Sequence, residues 1–188
     1  MARTINTQTL DRALGWASRA TAGILKIYAA LFLVAIAAII IEIVARFYGY
    51  ATTVSVELSG YVMASIIAWA SSYALLQKCH VRIDLLYRAR SDRTKNLLDI
   101  LSISSFFVVS IFLAWTTTYL ALDSFEFGVV SNTTQRVPLW IPQASWALGF
   151  IWLAICAGLL AAKAILAWLN QDRPGMVAAV GVSDEAPL

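Results

Sequence analysis

Three stretches of this chain run for a membrane's thickness without one charged residue, and this restricts the fold more than any motif does. Residues 58–77, 100–122 and 137–162 hold 20, 23 and 26 residues without Asp, Glu, Lys or Arg. A hydrocarbon core about 30 Å thick needs roughly 20 apolar residues in a helix that rises about 1.5 Å per residue. A fourth run, residues 27–41, has 15 residues. It reaches spanning length through Ile43, Val44 and Ala45 if Glu42 is accommodated. Glu42 and Arg46 stand one helical turn apart, so they can pair near the helix end, where water lowers the cost of the charges. With 60% hydrophobic and 13% charged residues and a mean hydropathy of +0.74, the chain has too little polar surface to cover a water-soluble globule. The expected fold is an all-α integral membrane protein of four transmembrane helices, at about 27–45, 58–77, 100–122 and 142–162.

The lysines and arginines set the expected orientation. Arg3, Arg12, Arg19 and Lys26 precede the first span; Lys78, Arg82, Arg88, Arg90, Arg93 and Lys95 follow the second; Lys163 and Arg173 follow the fourth. The two opposite loops hold only Arg46 and Arg136, so twelve of the 14 basic residues lie on one side. Basic flanks stay in the cytoplasm, which places both termini there. Tyr48, Tyr50, Tyr61, Trp140 and Trp146 then mark the outer interface, and Tyr28 and Trp168 the inner one.

The first 26 residues do not read as a cleaved signal peptide, because Arg3, Arg12, Arg19 and Lys26 precede any apolar core and no small-residue cleavage site follows; residues 1–23 read as a cytoplasmic amphipathic segment. Leu10, Ala13, Leu14 and Ala17 share one helix face, with Arg12 and Arg19 elsewhere, which predicts an amphipathic interfacial helix. Residues 169–188, with Pro174 and Gly175, read as a mobile cytoplasmic tail. Cys79 and Cys156 belong to different depths, and no disulfide between them is expected.

Two small-residue stripes predict close helix packing. Gly60, Ala64, Ala68 and Ser72 follow at four-residue intervals in span two, and Ala154, Gly158 and Ala162 do so in span four. Small side chains let helix backbones approach where lipid offers no hydrophobic gain. The Ser and Thr residues of span three are expected to bond back to carbonyls of their own helix. Pro142 would break a helix interior, so span four should start close to it, with Val137 to Ile141 along the outer interface.

Chemistry is sparse. A single histidine, His80, excludes a bis-histidine haem within one copy. No His, Cys, Asp and Glu cluster has metal-ligand spacing, no Gly-rich phosphate loop is present, and no nucleophile has a base beside it. No cofactor and no nucleic-acid partner are expected. The remaining polar residues sit at span ends: Glu57, where the macrodipole favours an acid, and the run Lys78-Cys79-His80-Val81-Arg82-Ile83-Asp84. His80 and Asp84 have the spacing to share a helix face, although an ordinary interfacial histidine accounts for the spacing as well.

These residues in this order resemble the small membrane subunit of TRAP transporters, the DctQ-like family. The matches are Arg46-Phe47 ending span one, Glu57 opening span two, His80-Val81-Arg82-Ile83-Asp84 after it, and Pro138-Leu139-Trp140-Ile141-Pro142 entering span four. The likeness covers roughly residues 24–168. The family often has two acids where this chain has Val56-Glu57, and a Gly-Ala pair where it has Ser71-Ser72. The resemblance implies a three-part importer of the bacterial inner membrane. An extracytoplasmic binding protein delivers a substrate, commonly a carboxylate, to a large membrane subunit driven by a sodium gradient. The small subunit braces the large one and helps to dock the binding protein. The rival readings are a homodimeric proton-coupled exporter that uses Glu42, and a non-transport membrane anchor.

Overall fold

The computed structural model describes residues 8–50, 54–78, 92–133 and 135–180. Within them the chain is almost wholly helical, and four helices are long and apolar enough to cross a membrane. They are α1 (Gln8–Phe47), α2 (Val54–Leu76), α3 (Asp92–Glu126) and α4 (Trp140–Leu169), followed by a short α5 (Arg173–Val180). Each long helix ends where the backbone turns left-handed. Gly49 (φ 88°) stops α1 and Gly128 (φ 60°) stops α3, positions at which a side chain would be strained. After Gly128 the Val129 N–H returns to the Ser124 carbonyl at 2.9 Å, closing the last turn.

The α1–α2 and α3–α4 connections lie at one end of the molecule, the hairpin end, and the start of α1 at Gln8 and the short α5 lie towards the other, the terminal end. A Lys163–Asp11 ion pair at 2.6 Å brings the start of α1 beside the C-terminal part of α4. The long helices do not close into a symmetric bundle. α3 packs chiefly on α4, α4 on α2, and α2 on α1, with lesser contact between the first half of α1 and α4. The order across the molecule is therefore α1, α2, α4, α3. α4 is the central helix: 39% of its most apolar 18 residues are buried, against 11% for α1 and 17% each for α2 and α3.

Small residues make the centre of α4 approachable. Cys156, Ala157 and Ala164 are fully buried, in a core completed by Ala17 of α1, Leu75 of α2 and Ile103 of α3. The closest approach is at Gly149, where an added Cβ would sit 2.8 Å from the Cβ of Ala68. Hydroxyls add directed ties. The Tyr28 hydroxyl meets Ser145 Oγ at 2.6 Å, Ser145 donates to Ser65 Oγ at 2.9 Å, and Ser65 donates to the Tyr61 carbonyl at 3.0 Å. Because the Ser145 proton goes to Ser65, Tyr28 is the donor at the head of this chain, which joins α1, α4 and α2. Thr21 repeats the device lower down: it bonds back to the Ala17 carbonyl at 2.7 Å and accepts from Trp152 Nε1 at 2.9 Å. Such interhelical bonds contribute about 0.6–2 kcal/mol each within a membrane.

Several expectations change. The segment before span one and the span itself form one continuous 40-residue helix, because nothing between Gln8 and Phe47 breaks it. Its predicted apolar face packs on protein: Ala17 is buried and Leu14 lies against the core. Tyr28, read as an interfacial ring, stacks on Trp69 with centroids 6.4 Å apart, and its hydroxyl serves the chain just described. α3 starts at Asp92, well before the apolar run at residue 100, because water also tolerates a helix through Thr94, Lys95 and Asn96. Part of the expected mobile tail is ordered. Asp172 Oδ1 accepts the Gly175 N–H at 3.1 Å and caps α5, whose Met176, Ala179 and Val180 are buried against the core. Residues 181–188 lie outside the described residues. The span-three hydroxyls behave as expected: Ser110, Thr116, Thr117 and Thr118 each donate to a carbonyl one turn back.

Candidate functional site

The polar chemistry of the hairpin end centres on two carboxylates, one on each of the first two helices. Glu42 lies in the last turns of α1, and its side chain is 5% exposed. Its Oε1 accepts from Arg46 Nη2 at 3.2 Å, and its Oε2 accepts the Ser55 backbone N–H at 3.1 Å. The first N–H groups of a helix have no partner within that helix, so Glu42 caps α2 from a neighbouring helix while it pairs with Arg46. Charge on the carboxylate suits both the guanidinium and the positive end of the α2 dipole.

Glu57 stands in the first turn of α2. Its Oε1 accepts the Tyr61 hydroxyl at 2.5 Å, and its Oε2 accepts the Thr133 hydroxyl. Since Thr133 gives its proton to Glu57, Ser131 is the donor in the 2.8 Å Ser131–Thr133 contact. The Val137 N–H in turn donates to Ser131 Oγ at 3.2 Å. The α3–α4 connection is thereby folded back on itself. Val130 and Pro138 form an antiparallel bridge, and the Leu139 N–H reaches the Val129 carbonyl at 3.0 Å. Glu57 fixes this small hairpin to α2, so α2, α3 and α4 share one polar tie.

The other predicted residues divide as follows. Arg46 and Phe47 diverge: Arg46 turns back to Glu42, whereas Phe47 is 90% exposed. Tyr48, Tyr50, Phe125 and Phe127 are also exposed, giving this end an aromatic surface. Trp140 opens α4 and meets the edge of Phe125 at 5.4 Å. Pro142 is the third residue of that helix, where a missing N–H costs nothing, so α4 begins two residues before the proline. His80, Arg82 and Asp84 lie outside the described residues.

The small-residue stripes are used in part. Ala68 and Ser72 are fully buried, whereas an added Cβ at Gly60 would meet nothing within 4 Å. Ala64 lines a cavity of about 210 Å³ with Tyr61, Pro142 and Trp146. On α4, Gly158 receives the Phe107 ring of α3, and Ala154 joins it along an outward groove of about 560 Å³. Ala162 is half-buried. Sequence reasoning missed Gly149, Ser65 and Ser145, and gave Tyr28 an interfacial role in place of its tie to Ser145. A glycine in the middle of a long helix was the one available signal, since that position costs stability without a packing reason. Among the described residues, no three His, Cys, Asp or Glu side chains converge as a metal ion would require.

Neither curated proteins nor solved structures give a match to this chain. A family model does: that of the DctQ component of tripartite ATP-independent periplasmic transporters, over residues 35–170. The matched region runs from the second half of α1 through the end of α4, and it contains both carboxylate ties, the hairpin they hold and the Gly149 crossing. The chain belongs to the DctQ family, the small membrane component of TRAP transporters.

Proposed function

We propose that this chain braces the large membrane subunit of a sodium-driven TRAP importer for a carboxylate substrate and presents its hairpin end to the extracytoplasmic binding protein. It sits in a bacterial inner membrane with both termini cytoplasmic, in keeping with the twelve basic residues at the terminal side. The observation that carries this reading is the engagement of the hairpin-end acids. Glu42 caps α2 and holds Arg46, and Glu57 holds Tyr61 and the α3–α4 hairpin. A carboxylate that moves ions or protons must exchange partners during a cycle, whereas these two join helices to one another. The exporter reading, which needs Glu42 as an exchanging site, is disfavoured by the same geometry.

The fixed hairpin end, with exposed Phe47, Tyr48, Tyr50 and Phe127, supplies an aromatic surface of the kind enriched at protein interfaces. Co-purification in mild detergent with a large TRAP membrane subunit from the same source tests the proposal. A stoichiometric complex is expected, together with loss of substrate uptake when this chain is deleted. Persistent failure to form that complex, with uptake intact after deletion, would refute it.

A further inference from the structure

The packing register and the positions of the apolar runs disagree unless the molecule lies obliquely in its membrane. Tyr28 stacks on Trp69 and Glu42 bonds to Ser55, so Ile36, at the middle of the first run, is level with Tyr61. The middle of the second run is Ile67, about 9 Å nearer the terminal end. Ser65 bonds to Ser145 and Ala68 meets Gly149, so Ile67 is level with Ala147 and Leu148. The middle of the fourth span, residues 142–162, is Trp152, about 7 Å further in the same direction. Gly158 faces Phe107 and Trp140 meets Phe125, so Trp152 is level with Leu113. The middle of the third run, Ile111, lies about 3 Å further again. The three offsets share one sign.

All four runs must nevertheless lie within one hydrocarbon slab about 30 Å thick. Because α1 also meets α4 directly, through Tyr28–Ser145 and Trp152–Thr21, the accumulated offset is met over a short lateral distance, and the runs share one slab only when the bundle leans away from the membrane normal.

A second, independent feature fits this seating. Arg12, Arg19 and Lys26 recur at seven-residue intervals on α1, and all three are exposed. Seven residues return to nearly the same helix face, so the cations form a stripe about 21 Å long. The opposite face carries Leu14, Ala17 and Thr21, which pack towards α4. With the helix axes along the membrane normal, α1 beside α4 would carry Arg19 and Lys26 into hydrocarbon, at a cost of several kcal/mol of the kind that buried charge incurs, which the oblique seating removes.

We propose that the bundle sits obliquely and that Arg12, Arg19 and Lys26 form a rail for anionic phospholipid headgroups of the cytoplasmic leaflet. The rail depends on the cytoplasmic placement of the N-terminus proposed above, but not on the identity of the large subunit or substrate. The occupant is a lipid phosphate because the stripe is purely cationic, none of its residues pairs with a carboxylate among the described residues, and it flanks a spanning helix at leaflet depth. Each cation near an anionic surface strengthens attachment about fivefold, so neutralising all three should weaken it roughly a hundredfold.

The test uses the full chain alone, reconstituted in nanodiscs of phosphatidylcholine with or without phosphatidylglycerol. Native mass spectrometry reads retained lipid for the wild type and for R12Q/R19Q/K26Q. Spin labels at R19C, K26C and I36C read depth, and an impermeant thiol reagent on intact cells reads the sidedness of the same positions. Selective retention of phosphatidylglycerol that the triple variant loses, with labels at 19 and 26 at headgroup depth and 36 in hydrocarbon, supports the proposal. Equal retention by both proteins, or a label at 19 deep in hydrocarbon, overturns it. Protection of the stripe only when the large subunit is added, without lipid dependence, also overturns it and identifies an acidic protein face instead. In intact cells, cysteines at 19 and 26 modified by the impermeant reagent from outside refute the orientation, leaving membership of the transporter untouched.

Discussion

Replacing Gly149 with alanine would place a methyl carbon 2.8 Å from the Ala68 Cβ and 3.2 Å from the Ala68 backbone carbon. Neither neighbour is the far end of a flexible side chain, so α2 and α4 must separate by about 1 Å to restore an ordinary contact near 3.5–4.0 Å. Overpacking of this sort costs about 1–3 kcal/mol, and the better helix propensity of alanine returns at most about 1 kcal/mol. A net destabilisation of roughly 1–2 kcal/mol is expected from these two terms. Two other glycines serve as internal standards. At Gly158 the added carbon meets the Phe107 ring edge at 2.9 Å, and that ring can pivot, so Gly158→Ala should cost less. At Gly60 nothing lies within 4 Å, so Gly60→Ala keeps only the propensity term and should raise stability by up to about 1 kcal/mol in the isolated chain. Detergent-solubilised protein, unfolded by heat or by added dodecyl sulfate and followed by helical circular dichroism, gives the ranking. A68G in the Gly149→Ala background should recover only part of the loss, because the Ala68 backbone carbon and Trp69 Cδ1, both at 3.2 Å, remain. Wild-type stability in Gly149→Ala, or equal losses at all three glycines, would refute the assigned helix crossing.

Glu57→Gln keeps one acceptor oxygen for two hydroxyl donors, so it should loosen the hairpin at 129–139 by about 1–3 kcal/mol, read as faster amide exchange there with α1 unchanged. Glu42→Gln should lower stability by about 1–2 kcal/mol through the α2 cap and Arg46 yet leave uptake per assembled complex intact; complete loss of uptake in a normally assembled complex would restore Glu42 as an exchanging site. Asp11 is half exposed, so a double-mutant cycle with Lys163 should yield a coupling below about 1 kcal/mol, and a larger value would show that the pair is shielded from water. Ala substitutions at His80 and Asp84 should be non-additive in complex stability if the two side chains act together, and purely additive losses would separate them.

The four spans were legible in the sequence because hydrocarbon thickness alone fixes how long an apolar run must be. The Glu42–Arg46 pair was legible for a similarly local reason: its spacing is set by one turn of one helix. What a single sequence withholds is which face meets which neighbour. The stripe from Gly60 to Ser72 looks uniform along α2, yet Ala68 and Ser72 are fully buried while an added Cβ at Gly60 would meet nothing within 4 Å. Gly149 carries the crossing without belonging to a stripe. The capping of α2 by Glu42 and the Glu57–Thr133 tie join residues 13 and 76 apart, contacts that no periodicity encodes. Helix ends beyond the lipid were equally hidden. α1 and α3 continue through polar residues because no proline interrupts them, and α5 gains its stability from burying Met176 and Val180 rather than from its own sequence.

The side-by-side order α1, α2, α4, α3 also bears on how the protein is made. Synthesis releases α1 and α2 first, as an antiparallel hairpin whose contacts are already complete between them. α3 emerges next and has no large surface to join, because its partner is the helix still inside the ribosome. Arrival of α4 then supplies that surface and inserts between α2 and α3 in one step, so the whole assembly depends on its last long segment. A chain truncated before Trp140 leaves one paired and one solitary helix adrift in the bilayer, and a quality-control protease would find α3 the first to be extracted.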